Sequence, residues 1–129
     1  MSYSFKTSFQ LKQTIQSVQK KKLQDLLQYL QHKSPFYKER FAAHHIDITQ
    51  IESVAGLAHI PTTTKEDLQQ RNDDFLCVSR DEIIEYTSTS GTLGSPVTVA
   101  LTENDLQRLA YNEYASFACA DGKATDVYQ

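Results

Sequence analysis

At 129 residues, with 40% hydrophobic and 22% charged side chains, the chain has the composition of one modest globular domain. Its 13 basic and 16 acidic side chains leave a formal charge of −3, and the only basic cluster is Lys20-Lys21-Lys22, which argues against nucleic acid as a partner. No apolar run approaches the roughly 20 residues that cross a bilayer, and Met1-Ser2-Tyr3-Ser4-Phe5-Lys6 lacks a signal-peptide core, so a cytoplasmic protein with no membrane partner is expected.

A first helix is predicted from about Thr7 to Gln31, where Leu11, Ile15, Val18, Leu23, Leu26, Leu27 and Leu30 recur at helical spacing. Gln13, Gln16, Lys20, Lys21 and Gln24 are left to face water. Ser34 reads as an N-cap with Pro35 at the first helical position, opening a helix to about His44 whose Phe36, Tyr37 and Phe41 supply core anchors. Thr49 and Glu52 have the spacing of a capping box for a short helix through Leu57. Ile60-Pro61 ends that segment, Thr64 and Asp67 open another helix to about Arg71, and Asn72-Asp73-Asp74 closes it.

After Phe75-Leu76-Cys77-Val78, the turn at Ser79-Arg80-Asp81 leads into two β-like runs. The first is Ile83 to Ser88, and in the second Val97, Val99 and Leu101 alternate with Thr98 and Ala100. Thr102 and Asp105 then start a last helix with an apolar stripe of Leu106, Leu109, Ala110, Tyr114, Phe117 and Ala118, a spacing expected for packing. Asp121-Gly122-Lys123 breaks it, and Asp126-Val127-Tyr128-Gln129 reads as the beginning of another strand. No repeat or Pro/Gly-rich linker divides the chain. A single incomplete domain is expected, helical over 1–78 and strand-loop-strand-helix over 79–129.

Cys77 and Cys119 have no C-x-x-C or C-x-x-H companions and are expected to be reduced and partly buried. His44 and His45 are adjacent, so on a helix their rings diverge, which disfavours a shared metal. The chemistry is concentrated instead in Thr87-Ser88-Thr89-Ser90-Gly91-Thr92-Leu93-Gly94-Ser95-Pro96, where six of ten residues are hydroxylic and two are glycine. Hydroxyls and approachable backbone amides suit a phosphate. The loop joins strand to strand, and it has neither the lysine of G-x-x-x-x-G-K-[ST] nor the glycines of G-x-G-x-x-G. Phosphate binding there would use amides and hydroxyls without a helix dipole; the other reading is a hydroxyl-rich hairpin turn with glycine at positive φ.

Thr89 to Pro96 resembles the phosphate-binding signature of the adenylate-forming superfamily, [ST]-[ST]-G-[ST]-[ST]-G-x-P. Ser34-Pro35-Phe36-Tyr37-Lys38-Glu39-Arg40-Phe41 and Ile60-Pro61-Thr62-Thr63-Thr64-Lys65-Glu66-Asp67-Leu68 are similar to the N-terminal region of its phenylacetate-CoA ligase branch, in the same order. Leu93 stands where a hydroxyl is usual and Ser95 where the branch often has lysine, departures that would weaken phosphate affinity. The resemblance implies an α/β ligase, α+β in this stretch: a run of helices, a hairpin carrying the phosphate loop, then a helix, at the front of a larger domain.

It further implies ATP, Mg2+ and coenzyme A as cofactors and a small carboxylate, aryl in this branch, as substrate. Thr89, Ser90 and Thr92 would be hydroxyl donors to the β- and γ-phosphates, while Gly91 and Gly94 bend the loop and present its amides. The adenine pocket, the acidic residue that helps hold magnesium, and the C-terminal lysine of that family have no match here, so an inactive N-terminal fragment is expected. The competing expectation is a non-catalytic helical module whose polar hairpin serves binding or assembly, with exposed strand edges that favour homo-oligomers.

Overall fold

The computed structural model describes residues 11–91, 95–123 and 125–127. Helix α1, Lys12–Lys33, is uncapped at Leu11, and the start expected at Thr7 lies outside the described residues. It runs past Gln31 to place His32 and Lys33 beside the terminal carbonyls, which favours cations there. Leu23 and Leu27 alone of its stripe are fully buried, whereas Leu26 is half exposed and Leu11 almost wholly so.

Ser34 connects α1 to α2, Pro35–Ala43. Its amide donates to the Leu30 carbonyl at 3.0 Å, its Oγ accepts from the Tyr37 amide at 3.4 Å, and the same hydroxyl donates to the Asp74 carbonyl at 3.0 Å. A polar residue this deeply buried is tolerable because every group is bonded. α2 ends on His45 at φ 52°, where the His45 and Ile46 amides return to the carbonyls of Ala42 and Phe41. The turn brings Ile48 and Ile51 onto Leu23, Leu27 and Phe41, with Leu30, Tyr37, Ile46 and Ile60 packed around this core.

The capping box expected at Thr49 and Glu52 does not form. Asp47 Oδ1 takes both the Thr49 amide, at 2.9 Å, and the Thr49 hydroxyl, at 2.6 Å, while Glu52 pairs with Lys20. Two 3₁₀ turns replace the helix, Ile48–Gln50 and Val54–His59. A three-residue repeat puts Ile48 and Ile51 on one side, which suits the core better than a wider helical turn. Gly56 closes against them: a Cβ there would stand 3.1 Å from Ile51 Cγ2.

Thr64 and Asp67 do form a capping box, opening α3, Lys65–Gln70. Asn72-Asp73-Asp74 continues as a 3₁₀ turn, Asn72–Phe75, so the chain bends back onto α2 at that point. A further 3₁₀ turn, Arg80–Glu82, boxed by Ser79 and Glu82, feeds the hairpin.

Strands β1, Ile83–Ser88, and β2, Thr98–Thr102, pair antiparallel from Glu85↔Leu101 to Ser88↔Thr98. Ile83 pairs with Thr102, which leaves Ile84 as an extra residue in a β-bulge. Burial does not follow the expected alternation: Val97 is buried but Val99 is 44% exposed. Helix α4, Glu103–Cys119, opens on the expected box of Thr102 and Asp105. Its stripe is not packed as the spacing suggested; no α4 residue is buried, and Leu109, Tyr114 and Phe117 are exposed. Periodicity marks the face that can be covered; here it is covered only in part, with Leu106 half-buried.

Cys77 is half-buried as expected, but Cys119, at the end of α4, is exposed. Beyond α4, Asp126 does not start a strand. Its carboxylate accepts from the Lys123 amide at 2.8 Å and its own amide donates to the Lys123 carbonyl, which makes a turn; Tyr128 and Gln129 lie outside the described residues. The architecture is therefore α+β, with a helical half followed by a two-stranded sheet and one helix.

Candidate phosphate loop and its support

The two upstream sequence blocks meet around Phe36. Its buried ring stacks on Phe75 at 4.0 Å between centroids and meets the edge of Tyr37 at 5.3 Å. The guanidinium of Arg40 lies 4.3 Å from the ring centroid and that of Arg71 lies 5.2 Å away. Both cations are held in place by anions and carbonyls, so each ring contact comes at little entropic cost.

Arg40 donates to the Thr62 carbonyl at 2.8 Å and to Asp67 Oδ2 at 3.0 Å. Arg71 donates to both Glu39 oxygens, at 3.2 and 2.6 Å, and from Nε to Asp74 Oδ2 at 2.7 Å, pairings that push its pKa further up. The Thr64 backbone N–H, and after it the Arg40 guanidinium, hold the Asp67 carboxyl below the usual carboxylate range. Tyr37 Oη and Thr63 Oγ1 complete the join at 2.9 Å. These blocks therefore build the platform that carries α3, and Phe36, Tyr37 and Phe41 pack in the helical half.

The loop leaves that half through β1. The Thr89 amide donates to the Val97 carbonyl at 3.0 Å, and the Val97 amide donates to Thr89 Oγ1, also at 3.0 Å. Because Oγ1 accepts in this bond, its proton remains available for donation outward. Thr89 and Ser90 are exposed, and Gly91 takes φ 61°, the left-handed region that a Cβ would disfavour. Thr92, Leu93 and Gly94 lie outside the described residues. The structure thus brings Thr89, Ser90 and Gly91 to one hairpin tip, and the positive φ serves either reading of the motif.

Two side chains that sequence reasoning passed over hold the outgoing arm. Gln69 Nε2 donates to the Ser95 carbonyl, and Asn72 Nδ2 donates to the carbonyls of Leu68, at 3.1 Å, and Thr98, at 2.8 Å. In sequence Asn72 carries only the signal of a helix end, and its partner is 26 residues away.

For a metal, no group of three or more His, Cys, Asp or Glu side chains comes together among the described residues. No step is assigned to the Mg2+ implied by the resemblance. Nor is any helix among the described residues long and apolar enough to cross a membrane.

No family model matches the chain. The phenylacetate-coenzyme A ligase of Escherichia coli (strain K12) is 27% identical over 113 residues, covering 87% of this chain and 26% of that protein. The ligase of the same name from Pseudomonas putida is 34% identical over 96 residues, covering 71% of this chain and 21% of its own length. Among solved structures, a 2-hydroxyisobutyryl-CoA ligase in complex with 2-HIB-AMP and CoA superposes with a TM-score of 0.70 at 25% identity, over 79% of this chain and 23% of the ligase. The chain thus spans about a quarter of the length of the curated relatives it matches. By sequence and by fold, over the stretch they share, the chain is similar to the phenylacetate-coenzyme A ligases and to this 2-hydroxyisobutyryl-CoA ligase.

Proposed function

We propose that this chain is the phosphate-handling front part of an ATP-dependent acyl-CoA ligase, which activates a carboxylic acid as its acyl-adenylate and passes the acyl group to coenzyme A. The observation that carries the reading is the hairpin tip, where Thr89 is locked to Val97 through its own Oγ1 while Gly91 turns the backbone at φ 61°. Attack of a carboxylate on the α-phosphorus expels pyrophosphate, and negative charge builds on the leaving group. Donors fixed in advance stabilise that charge better than water, which must reorient. In this reading Thr89, Ser90 and Thr92 donate hydroxyl protons to the β- and γ-phosphates, and Gly91 and Gly94 present amides.

An arylacetic acid as substrate follows from the similarity to phenylacetate ligases, and a cytoplasmic location belongs to the same reading. The adenine pocket and the mobile lysine of the superfamily have no counterpart among these 129 residues, so the loop alone is assigned no turnover.

Carboxylate-dependent ATP–pyrophosphate exchange, measured on the protein expressed from its full reading frame, tests the proposal. Exchange with arylacetic acids, lost by about 100-fold or more in Ser90→Ala, is the expected result, in line with removal of a single anion-hole donor. Absence of exchange with arylacetic, benzoic and short aliphatic acids alike would remove the ligase reading.

One feature favours a second reading, in which the chain is an assembly module. Ile84, Tyr86, Val99 and Leu109 are 60, 56, 44 and 40% exposed on the hairpin and α4, and a two-stranded sheet leaves open edges. Self-association in sedimentation velocity, together with absent exchange, would select this reading.

A further inference from the structure

We propose that Gln69 and Asn72 are positioning residues, which suspend the phosphate loop from the end of α3 and so aim its donors. The inference rests on the phosphate reading for its chemistry but on geometry for its mechanics. Of the two arms of the loop, the incoming one at Thr89 is bonded within the hairpin, to Val97. The outgoing arm is tied to a different part of the molecule. Gln69 reaches the carbonyl of Ser95, and Asn72 reaches that of Thr98, the residue paired with Ser88 immediately before Thr89.

Asn72 does more than cross the gap. Its single amide nitrogen spends one proton on Leu68 in the last turn of α3 and the other on Thr98, so one planar group fixes the distance between helix and strand. The helix it hangs from is itself immobilised. Asp67 is bound by Thr64 and Arg40, and Arg71, between Gln69 and Asn72 on one side and Phe36 on the other, is clamped by Glu39 and Asp74. A line of bonded groups therefore runs from the Phe36 platform through α3 to Thr98, which lies opposite Ser88 in the hairpin, one residue before Thr89. Neither Gln69 nor Asn72 belongs to the phosphate motif; Gln69 acts through the backbone of Ser95 within it, and Asn72 through that of Thr98 just beyond it. Preorganised donors lower a barrier only if something stops them relaxing, and this pair is the part of the fold that does so.

The test uses Gln69→Ala, Asn72→Ala and Asn72→Asp, the last nearly isosteric but without the amide donors. Amide hydrogen exchange is followed at Thr89 and Val97 and, as an internal control, at Leu27 and Phe41. In the protein from the full reading frame, KM for the carboxylate and kcat are measured by pyrophosphate exchange. Exchange at Val97 is expected to quicken at least tenfold with the controls unchanged, and kcat to fall by about tenfold or more while KM for the carboxylate stays constant. Unchanged exchange at Thr89 and Val97 in all three variants would overturn the suspension outright. Faster exchange at Val97 with unaltered kcat would overturn the aiming role. If the wild-type protein shows no pyrophosphate exchange at all, it is the ligase reading that fails, and Val97 exchange still decides whether the two side chains hold the loop.

Discussion

Thr89 and Val97 exchange two hydrogen bonds of 3.0 Å, one between backbone groups and one from the Val97 amide to the Thr89 hydroxyl. Val97 is buried, so its amide has no cheap alternative in water. Replacing Thr89 by valine keeps the shape and removes the acceptor. The hairpin is expected to lose about 1–3 kcal/mol of local stability, seen as faster amide exchange at Val97, whereas Thr89→Ser retains the bond and the protection.

Phe36 sits under Phe75, Tyr37 and two guanidinium groups, and is the largest fully buried side chain among the described residues. Truncation to alanine removes the ring and leaves Arg40 and Arg71 over a cavity. A loss of about 3–5 kcal/mol is expected. Urea denaturation would show it as a lower midpoint with an unchanged slope.

Two capping carboxylates make the fold sensitive to acid. The Thr64 amide and Arg40 hold Asp67 low, and the Thr102 amide holds Asp105 low. Carboxylates with depressed folded-state pKa values contribute stability above their unfolded value, near pH 4, and lose it as pH falls through the folded value. Below about pH 4 the unfolded chain binds more protons than the folded one, so stability rises with pH there. The melting temperature is therefore expected to drop from pH 5 to pH 3. In Asp67→Asn and Asp105→Asn the drop should be shallower, with both variants less stable than wild type at pH 7.

The two thiols should separate kinetically. Burial pushes the Cys77 thiol up, and its Sγ lies 3.5 Å from the Phe75 carbonyl, while Cys119 is exposed at the end of α4. Because the thiolate is the nucleophile, alkylation at pH 8 should modify Cys119 first and Cys77 only slowly. Intact-mass time courses on Cys119→Ser, which would retain only the slow phase, check the assignment.

Local signals were read well from sequence when their partners were three residues away and uncontested. Thr64 with Asp67 and Thr102 with Asp105 are such pairs. Thr49 with Glu52 has the same spacing and failed because Asp47, two residues upstream, captured the threonine first. The aromatic anchors of α2 were legible because Ser34-Pro35 fixes where the helix begins, and thereby which residues turn inward. The α4 stripe has correct periodicity, yet periodicity carries no information on whether a covering surface is at hand. Of the candidate site, Thr89, Ser90 and Gly91 were legible as a turn, and Gln69 and Asn72 were not. An amide side chain whose partner is a distant backbone carbonyl leaves no pattern along the chain.

The bulge at Ile84 bears on how the hairpin tolerates change. From Glu85 onward the paired positions keep one register up to Ser88 and Thr98, and the extra residue lies upstream of that run. A one-residue slip in the approach through Arg80–Glu82 can be taken up at the bulge, whereas a slip beyond Glu85 would invert every side chain up to the tip. Length variation should accordingly be permitted before Glu85 and forbidden after it, which makes the entrance to the hairpin an expansion joint and its far end the datum.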